Sequence, residues 1–206
     1  VSNDEFTWAI AGRKRERLEN LKTFFQDIDS DYDNIPILVV DSMDSLSLDA
    51  MTSICRLVVS TVGPYLKYGK LLIESCVKNS THYCDLTGEV PFIRESIDLF
   101  DRKAQENNCR IIHSCGFDSI PSDIGVLLLQ TNSLARFNKP CNDVNLYVQS
   151  MRGGLSGGTI ESIINISRYI DANPKHDLAG SAQYWHGATF RVRQLYQDAA
   201  TAYLDG

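Results

Sequence analysis

No run in this 206-residue chain approaches the roughly 20 consecutive apolar residues of a membrane-spanning helix, and its opening lacks the basic, apolar and small-residue succession of a signal peptide. The chain reads as soluble, with no visible address. There is no excess of positive charge: the formal net charge is −6, so a polyanion-binding surface over the whole molecule is excluded, and with it general nucleic-acid binding. The six cysteines lack the dense spacing of a secreted disulfide scaffold, which favours buried free thiols and a reduced intracellular compartment. Cys109, His113 and Cys115 fall close together, as do His82 and Cys84. Neither group has the paired spacing of a zinc site, so no metal is assigned.

What is present is a repeated alternation of short apolar runs with longer amphipathic segments, the pattern of parallel strands joined by crossover helices. The runs are Phe6 to Ala11, Ile37 to Val40, Leu57 to Val62, Tyr83 to Leu86 and Arg110 to His113. They are continuous rather than alternating, as expected of strands covered on both faces. Between them, Leu18, Leu21, Phe24, Phe25 and Ile28 form a helical stripe over Arg15 to Ile28. Further helices are predicted over Ser47 to Cys55 with Ser45 or Ser47 as cap, over Tyr68 to Val77, and over Pro91 to Asn107. A last helix of this region follows Ser119-Ile120-Pro121-Ser122-Asp123 and runs through Leu127, Leu128 and Leu129.

The class is α/β, and residues 1–138 read as a Rossmann-like doubly wound parallel sheet. The segment Phe6 to Arg13 is placed as the second strand of that fold, so the first strand and its glycine-rich turn are expected to be missing from this chain. Residues 139–206 read as the start of an α+β substrate and dimerisation domain. In it Asp143 to Met151 alternates like a half-solvated strand, and the Gly153 to Thr159 loop leads into a helix from about Ile160 to Ile170.

In doubly wound sheets ligands lie beyond the carboxyl ends of the strands. Arg13 ends the opening strand, where a guanidinium binds a 2′-phosphate bidentately and an acidic residue would favour the unphosphorylated cofactor. The alternative is a solvated basic residue leading into the helix. Ser60 to Tyr65 ends the third strand, where Gly63 permits close backbone approach and Pro64 stiffens the turn; a plain strand-to-helix turn has the same composition. The stretch His113 to Asp123 is rich in polar residues. Its Gly116 to Ser122 portion is placed beside a nicotinamide or substrate, with Asp118 or Ser122 equally able to cap the following helix. Asp85 and Glu89 read as exposed loop carboxylates, able to act as acid or base but needing no function. The Gly153 to Thr159 loop could cradle an anion but lacks the lysine of a P-loop.

Three segments in order, Trp8-Ala9-Ile10-Ala11-Gly12-Arg13, Val62-Gly63-Pro64-Tyr65 with Gly69, and Tyr83-Cys84-Asp85-Leu86-Thr87-Gly88-Glu89 leading to Gly116 through Asp123, resemble the saccharopine dehydrogenase-like oxidoreductases. They are also similar to the trans-acting enoyl reductases, and Ser156-Gly157-Gly158-Thr159 fits the same pattern. The resemblance implies a domain binding NADP, with NAD as the alternative, and hydride transfer to or from a small or lipid-like substrate. It further implies homodimerisation through the second domain, and lipid-droplet or organelle-membrane association for animal members. Arg13 carries over as the 2′-phosphate ligand; Ser60, Gly63, Pro64, Tyr65 and Gly116 are placed at the cofactor cleft. No catalytic residue carries over. The competing reading is a non-catalytic fragment or isoform acting as a binding or assembly module. A cysteine-nucleophile enzyme built on Cys115 and His113 is a third reading, for which no orienting group is evident.

Overall fold

A computed structural model describes residues 7–29, 32–147, 150 and 157–172. The chain alternates strand and helix: β1 (Ile10–Gly12), α1 (Arg15–Ile28), β2 (Ile37–Val39), α2 (Ser45–Thr52), β3 (Leu57–Ser60), α3 (Tyr65–Tyr68), α4 (Lys70–Lys78), β4 (His82–Asp85), α5 (Val90–Glu106), β5 (Ile111–Ile112), α6 (Ile120–Phe137) and α7 (Gly157–Ala172). Helix α1 forms where its apolar stripe predicts. Helix α2 starts earlier than expected because Asp44, and neither serine, is its N-cap: its Oδ1 accepts from the Leu46 amide at 3.1 Å. The predicted helix over Tyr68 to Val77 is two helices hinged at Gly69.

All strand pairs are parallel, but they form two separate ladders, β1-β2 and β3-β4-β5. In the doubly wound order 3-2-1-4-5-6 these pairings correspond to the neighbours on either side of the central first strand. Among the described residues the edges of β1 and β3 facing that position carry no partner strand.

The core lies on one face of the three-stranded ladder. Tyr83, Ile73 and Cys76 are wholly buried there, packed with Leu48, Leu72, Phe92, Phe100 and Ala104 from α2, α4 and α5. Val40 and Leu38 join β2 to the same cluster. A second, polar seam ties α2 to α4: Thr52 Oγ1 lies 2.8 Å from Ser75 Oγ, which donates to Asp49 Oδ1 at 2.6 Å, and Lys78 pairs with the other Asp49 oxygen. The opposite face departs from expectation. Val59 and Ile112 are more than half exposed, because the described helices packed on this ladder cover only the Tyr83 face. Likewise α1 buries Leu18 and leaves Phe24 and Ile28 exposed.

Helix α6 ends at Phe137, with Asn138 as its C-cap in the left-handed region, φ 52°. The strand expected over residues 143–151 does not form in its described part, residues 143–147 and 150. Helix α7 begins at Gly157, before the predicted start; the Gly153 to Ser156 part of the anion-loop reading lies outside the described residues. No helix among the described residues is long and apolar enough to cross a membrane, and no group of His, Cys, Asp or Glu is arranged to hold a metal ion among them.

Candidate functional site

The carboxyl ends of β3, β4 and β5 lie side by side, with Ser60 in register with Asp85 and Cys84 with Ile112. Their polar side chains turn inward. Asp85 is 1% exposed and Glu89 2% exposed, so neither is the solvated loop carboxylate that the sequence led us to expect. Asp85 organises the ends of β4 and β5. Its Oδ1 accepts from the amides of Thr87 (3.1 Å) and Ser114 (3.2 Å), and its Oδ2 accepts from the Tyr83 hydroxyl (2.9 Å) and lies 2.8 Å from His113 Nδ1. Burial of so many hydrogen-bonding groups is tolerated because each has a partner. Burial, followed by the charge of Asp85, pushes the Tyr83 phenol well above the usual tyrosine range.

Glu89 organises the turn after β3. Its Oε1 accepts from the Tyr65 amide at 2.8 Å and from Ser162 Oγ of α7 at 2.9 Å; its Oε2 accepts from the Leu66 amide at 2.9 Å. These amides open α3 and have no partner within that helix, so a carboxylate there is stabilised by both hydrogen bonds and helix polarity. Thr87 links the two acids: its Oγ1 accepts from the Glu89 amide at 3.0 Å, and its carbonyl accepts from Ser114 Oγ at 2.8 Å. Asp85, Thr87 and Glu89 stand two residues apart, and this spacing was the signal available in the sequence.

The residues predicted for the cleft are placed as follows. Ser60 is buried; its carbonyl accepts from the Tyr65 hydroxyl at 3.0 Å. Tyr65 is 4% exposed, and burial, with Asp85 adding, pushes its phenol up to about 12. Pro64 is buried behind a cis Gly63-Pro64 peptide. Gly63 is half-buried; a Cβ there would stand 3.5 Å from Ser162 Oγ. Gly116 packs so closely on the β4 end that a Cβ would come within 2.9 Å of the Leu86 Cβ. Ser60 to Tyr65 and Gly116 are thus brought together through β4. Arg13 stands apart on the other ladder, exposed just after β1, with no hydrogen bond or ion pair among the described residues. Helix α6 takes Ser119 as N-cap, without a side-chain bond, in place of Asp118 or Ser122.

With the polar groups turned inward, apolar ones remain at the rim. Val62 after β3, Leu86 after β4 and Phe117 after β5 are 45%, 47% and 88% exposed. These residues were missed because strand-end residues were judged by polarity instead of by facing. His113 Nε2 also lies 3.0 Å from Ser96 Oγ, so Ser96, His113 and Asp85 bond in the order of a hydrolase triad. Ser96 stands inside α5 and is 3% exposed. The neighbouring amides belong to the helix ladder, so the arrangement is a buried brace with no oxyanion site.

Parallel ladders wrapped by crossover helices, with loops gathered at the strand carboxyl ends, define a Rossmann-like nucleotide-binding α/β domain. Residues 1–112 match the family model of the saccharopine dehydrogenase NADP binding domain; the chain belongs to this family, and its cofactor is NADP. It is 37% identical over 168 residues to a trans-acting enoyl reductase of Mycobacterium bovis, covering 81% of this chain and 40% of that protein. A Mycobacterium tuberculosis relative, whose name places it in the same class, is 39% identical over 158 residues, covering 77% and 37%. The chain therefore spans about two fifths of the length of these relatives. Among solved structures it is similar to the apo saccharopine dehydrogenase (L-Glu forming) of Saccharomyces cerevisiae, at TM-score 0.51 and 17% identity, over 66% of this chain and 27% of that one. That likeness shows the fold. The Arg13 guanidinium at the end of β1, without a partner among the described residues, and an apolar rim on the second ladder both fit a phosphorylated nicotinamide dinucleotide.

Proposed function

We propose that this chain supplies the cofactor half of an NADP-dependent oxidoreductase that transfers a hydride to or from a small or lipid-like substrate. The observation that carries the reading is the division of labour at the strand ends: buried Asp85 and Glu89 fix the loops, while Val62, Leu86 and Phe117 stay open to a ligand. An apolar rim on rigid loops suits the flat faces of a nicotinamide and keeps water from the reacting carbon. Arg13 holds the 2′-phosphate through paired N–H donors, and Ser60, Gly63, Pro64, Tyr65 and Gly116 shape the floor beneath the rim. When bound, the nicotinamide supplies or accepts the hydride. The names of the relatives support reduction of a carbon–carbon double bond conjugated to an acyl group, hence the lipid-like substrate. Six free thiols support a reducing, intracellular setting, and the exposed Ile124, Leu127 and Leu128 on α6 supply a face for dimerisation or for a membrane surface.

The test is titration with NADPH and NADH, followed by the tryptophan fluorescence to which Trp8, edge-on against Phe25 and Tyr32 beside β1, contributes. NADPH is expected to bind at least about tenfold more tightly than NADH, as befits a charge-assisted phosphate contact, and Arg13→Ala is expected to erase the difference. Equal binding of the two cofactors by the unaltered protein, or binding of neither, would defeat the proposal.

A further inference from the structure

Two cysteines meet at the rim, and the function proposed above does not use either. Cys84 lies on β4, in register with Ile112 of β5; adjacent strands stand about 4.8 Å apart. Alternation along β4 buries Tyr83 and Asp85 on the core face and turns Cys84 to the other face, where Val59 and Ile112 are exposed. After β5 the chain turns back on itself. Ser114 adopts a left-handed conformation, φ 59°, and the Cys115 amide donates to the Asp85 carbonyl at 2.7 Å. The Cys115 sulfur comes to rest over β5, 3.5 Å from the carbonyl oxygen of Ile112, the residue paired with Cys84. Backbone pairing, facing and the loop reversal therefore set the two sulfurs side by side, where the Cys84 and Cys115 thiols interact.

Burial raises the Cys84 thiol above its ordinary value, and the neighbouring Cys115 sulfur adds to the rise. Cys115 is exposed and Cys84 partly buried, so an oxidant meets Cys115 first. The other thiols are differently placed: Cys76 and Cys109 are buried in the core, and burial pushes Cys76 up to about 12.

We propose that Cys84 and Cys115 are a peroxide-sensitive pair that closes to a disulfide across the carboxyl ends of β4 and β5. The Cys115 sulfur attacks a hydroperoxide, taking one oxygen to become a sulfenic acid and releasing the alcohol or water. The Cys84 sulfur then attacks the Cys115 sulfur, the S–O bond breaks, and the hydroxyl leaves as water with the Cys84 proton. The peroxide gains the two electrons that the thiols lose. The bridge pins the β5–α6 loop, which carries Gly116 and Phe117, to the end of β4. This inference rests on strand register and holds whether or not the cofactor reading does.

The test is to treat the reduced, purified protein with hydrogen peroxide, alkylate the remaining thiols, digest with trypsin and read the peptides by mass spectrometry. A linked pair is expected between the peptide spanning residues 79–94 and the peptide spanning residues 111–136, released by a thiol reductant, with loss of alkylation at both cysteines and at no other. Cys84→Ser is expected to leave a sulfenic acid on Cys115 that dimedone traps. Cys115→Ser is expected to leave Cys84 fully alkylated after peroxide. Cys115 sits on the surface and its replacement leaves the core intact, so this variant reports on chemistry and not on folding. Oxidation of Cys115 to the sulfinic acid in the unaltered protein, a Cys115 bridge to Cys141, or unchanged alkylation of Cys84 would each overturn the proposal.

Discussion

Replacing Glu89 by glutamine changes one atom of the side chain and tests the buried scaffold directly. The glutamine carbonyl oxygen can still accept from the Tyr65 amide and Ser162 Oγ, as Glu89 Oε1 does at 2.8 and 2.9 Å. Its amide nitrogen, however, faces the Leu66 N–H that Oε2 now accepts at 2.9 Å, and two donors then confront each other in a site that is 2% exposed. The loss is one charge-assisted bond plus one stranded amide, about 2–3 kcal/mol in sum after the neighbours relax. Glu89→Ala strands both α3 amides and loses packing, for about 4 kcal/mol, near the upper end of single-substitution effects. With a urea slope of about 2 kcal/mol/M, the midpoints are expected to fall by about 1 M and about 2 M. Glu95→Gln is the control. It removes the same charge from a pair with Lys70 in which both side chains are largely exposed, and is expected to shift the midpoint by less than about 0.5 M. If Glu89→Gln and Glu95→Gln behave alike, Glu89 does not hold α3 and the description of the β3 turn is wrong.

Two further predictions follow from packing and from titration. Gly69→Ala places a Cβ 2.5 Å from the Phe92 ring and 2.9 Å from the Tyr65 carbonyl, and the backbone contact cannot swing away; a loss of about 1–3 kcal/mol is expected, read as a lower thermal midpoint, and an unchanged midpoint would show that the α3–α4 hinge is loosely packed. Tyr65 and Cys76 are pushed up to about 12 from ordinary values of 10.0 and 9.0. Because their folded values exceed their unfolded ones, the stability they contribute is complete below pH 9 and is lost as pH rises toward 12. Denaturant midpoints measured across that window should decline steadily, and a flat profile would mean that these groups ionise in the folded state without resistance.

The fold was legible where its determinants are local. The spacing of Leu18, Leu21, Phe24, Phe25 and Ile28 specified α1 to the residue, and each of the five apolar runs yielded a strand: β2, β3 and β5 are shortened, β1 ends one residue later at Gly12, and β4 is shifted by one to start at His82. Gly69 could not be read as a hinge, since what divides the helix is the Phe92 ring pressed on it from α5, a contact across a gap of 23 positions. Asp143 to Tyr147 alternates like a strand yet forms none, because alternation describes facing and a strand also requires a neighbour to receive its hydrogen bonds. The candidate site was half legible. The ends of β3, β4 and β5 do lie side by side, but the facing of Asp85 and Glu89 depends on which backbone amides lie within reach, and those come from Thr87, from Ser114 after β5 and from the start of α3.

The acids at the strand ends also bear on how tightly a ligand can be held. A loop left free in solution must surrender its motions when it closes on a ligand, and that loss is subtracted from every contact it makes. Here the turns after β3, β4 and β5 are fixed by carboxylates that fold with the core, so the ordering is completed when the chain folds and not when it binds. For the cofactor proposed at Val62, Leu86 and Phe117, less of that contact area is then spent on ordering the loops.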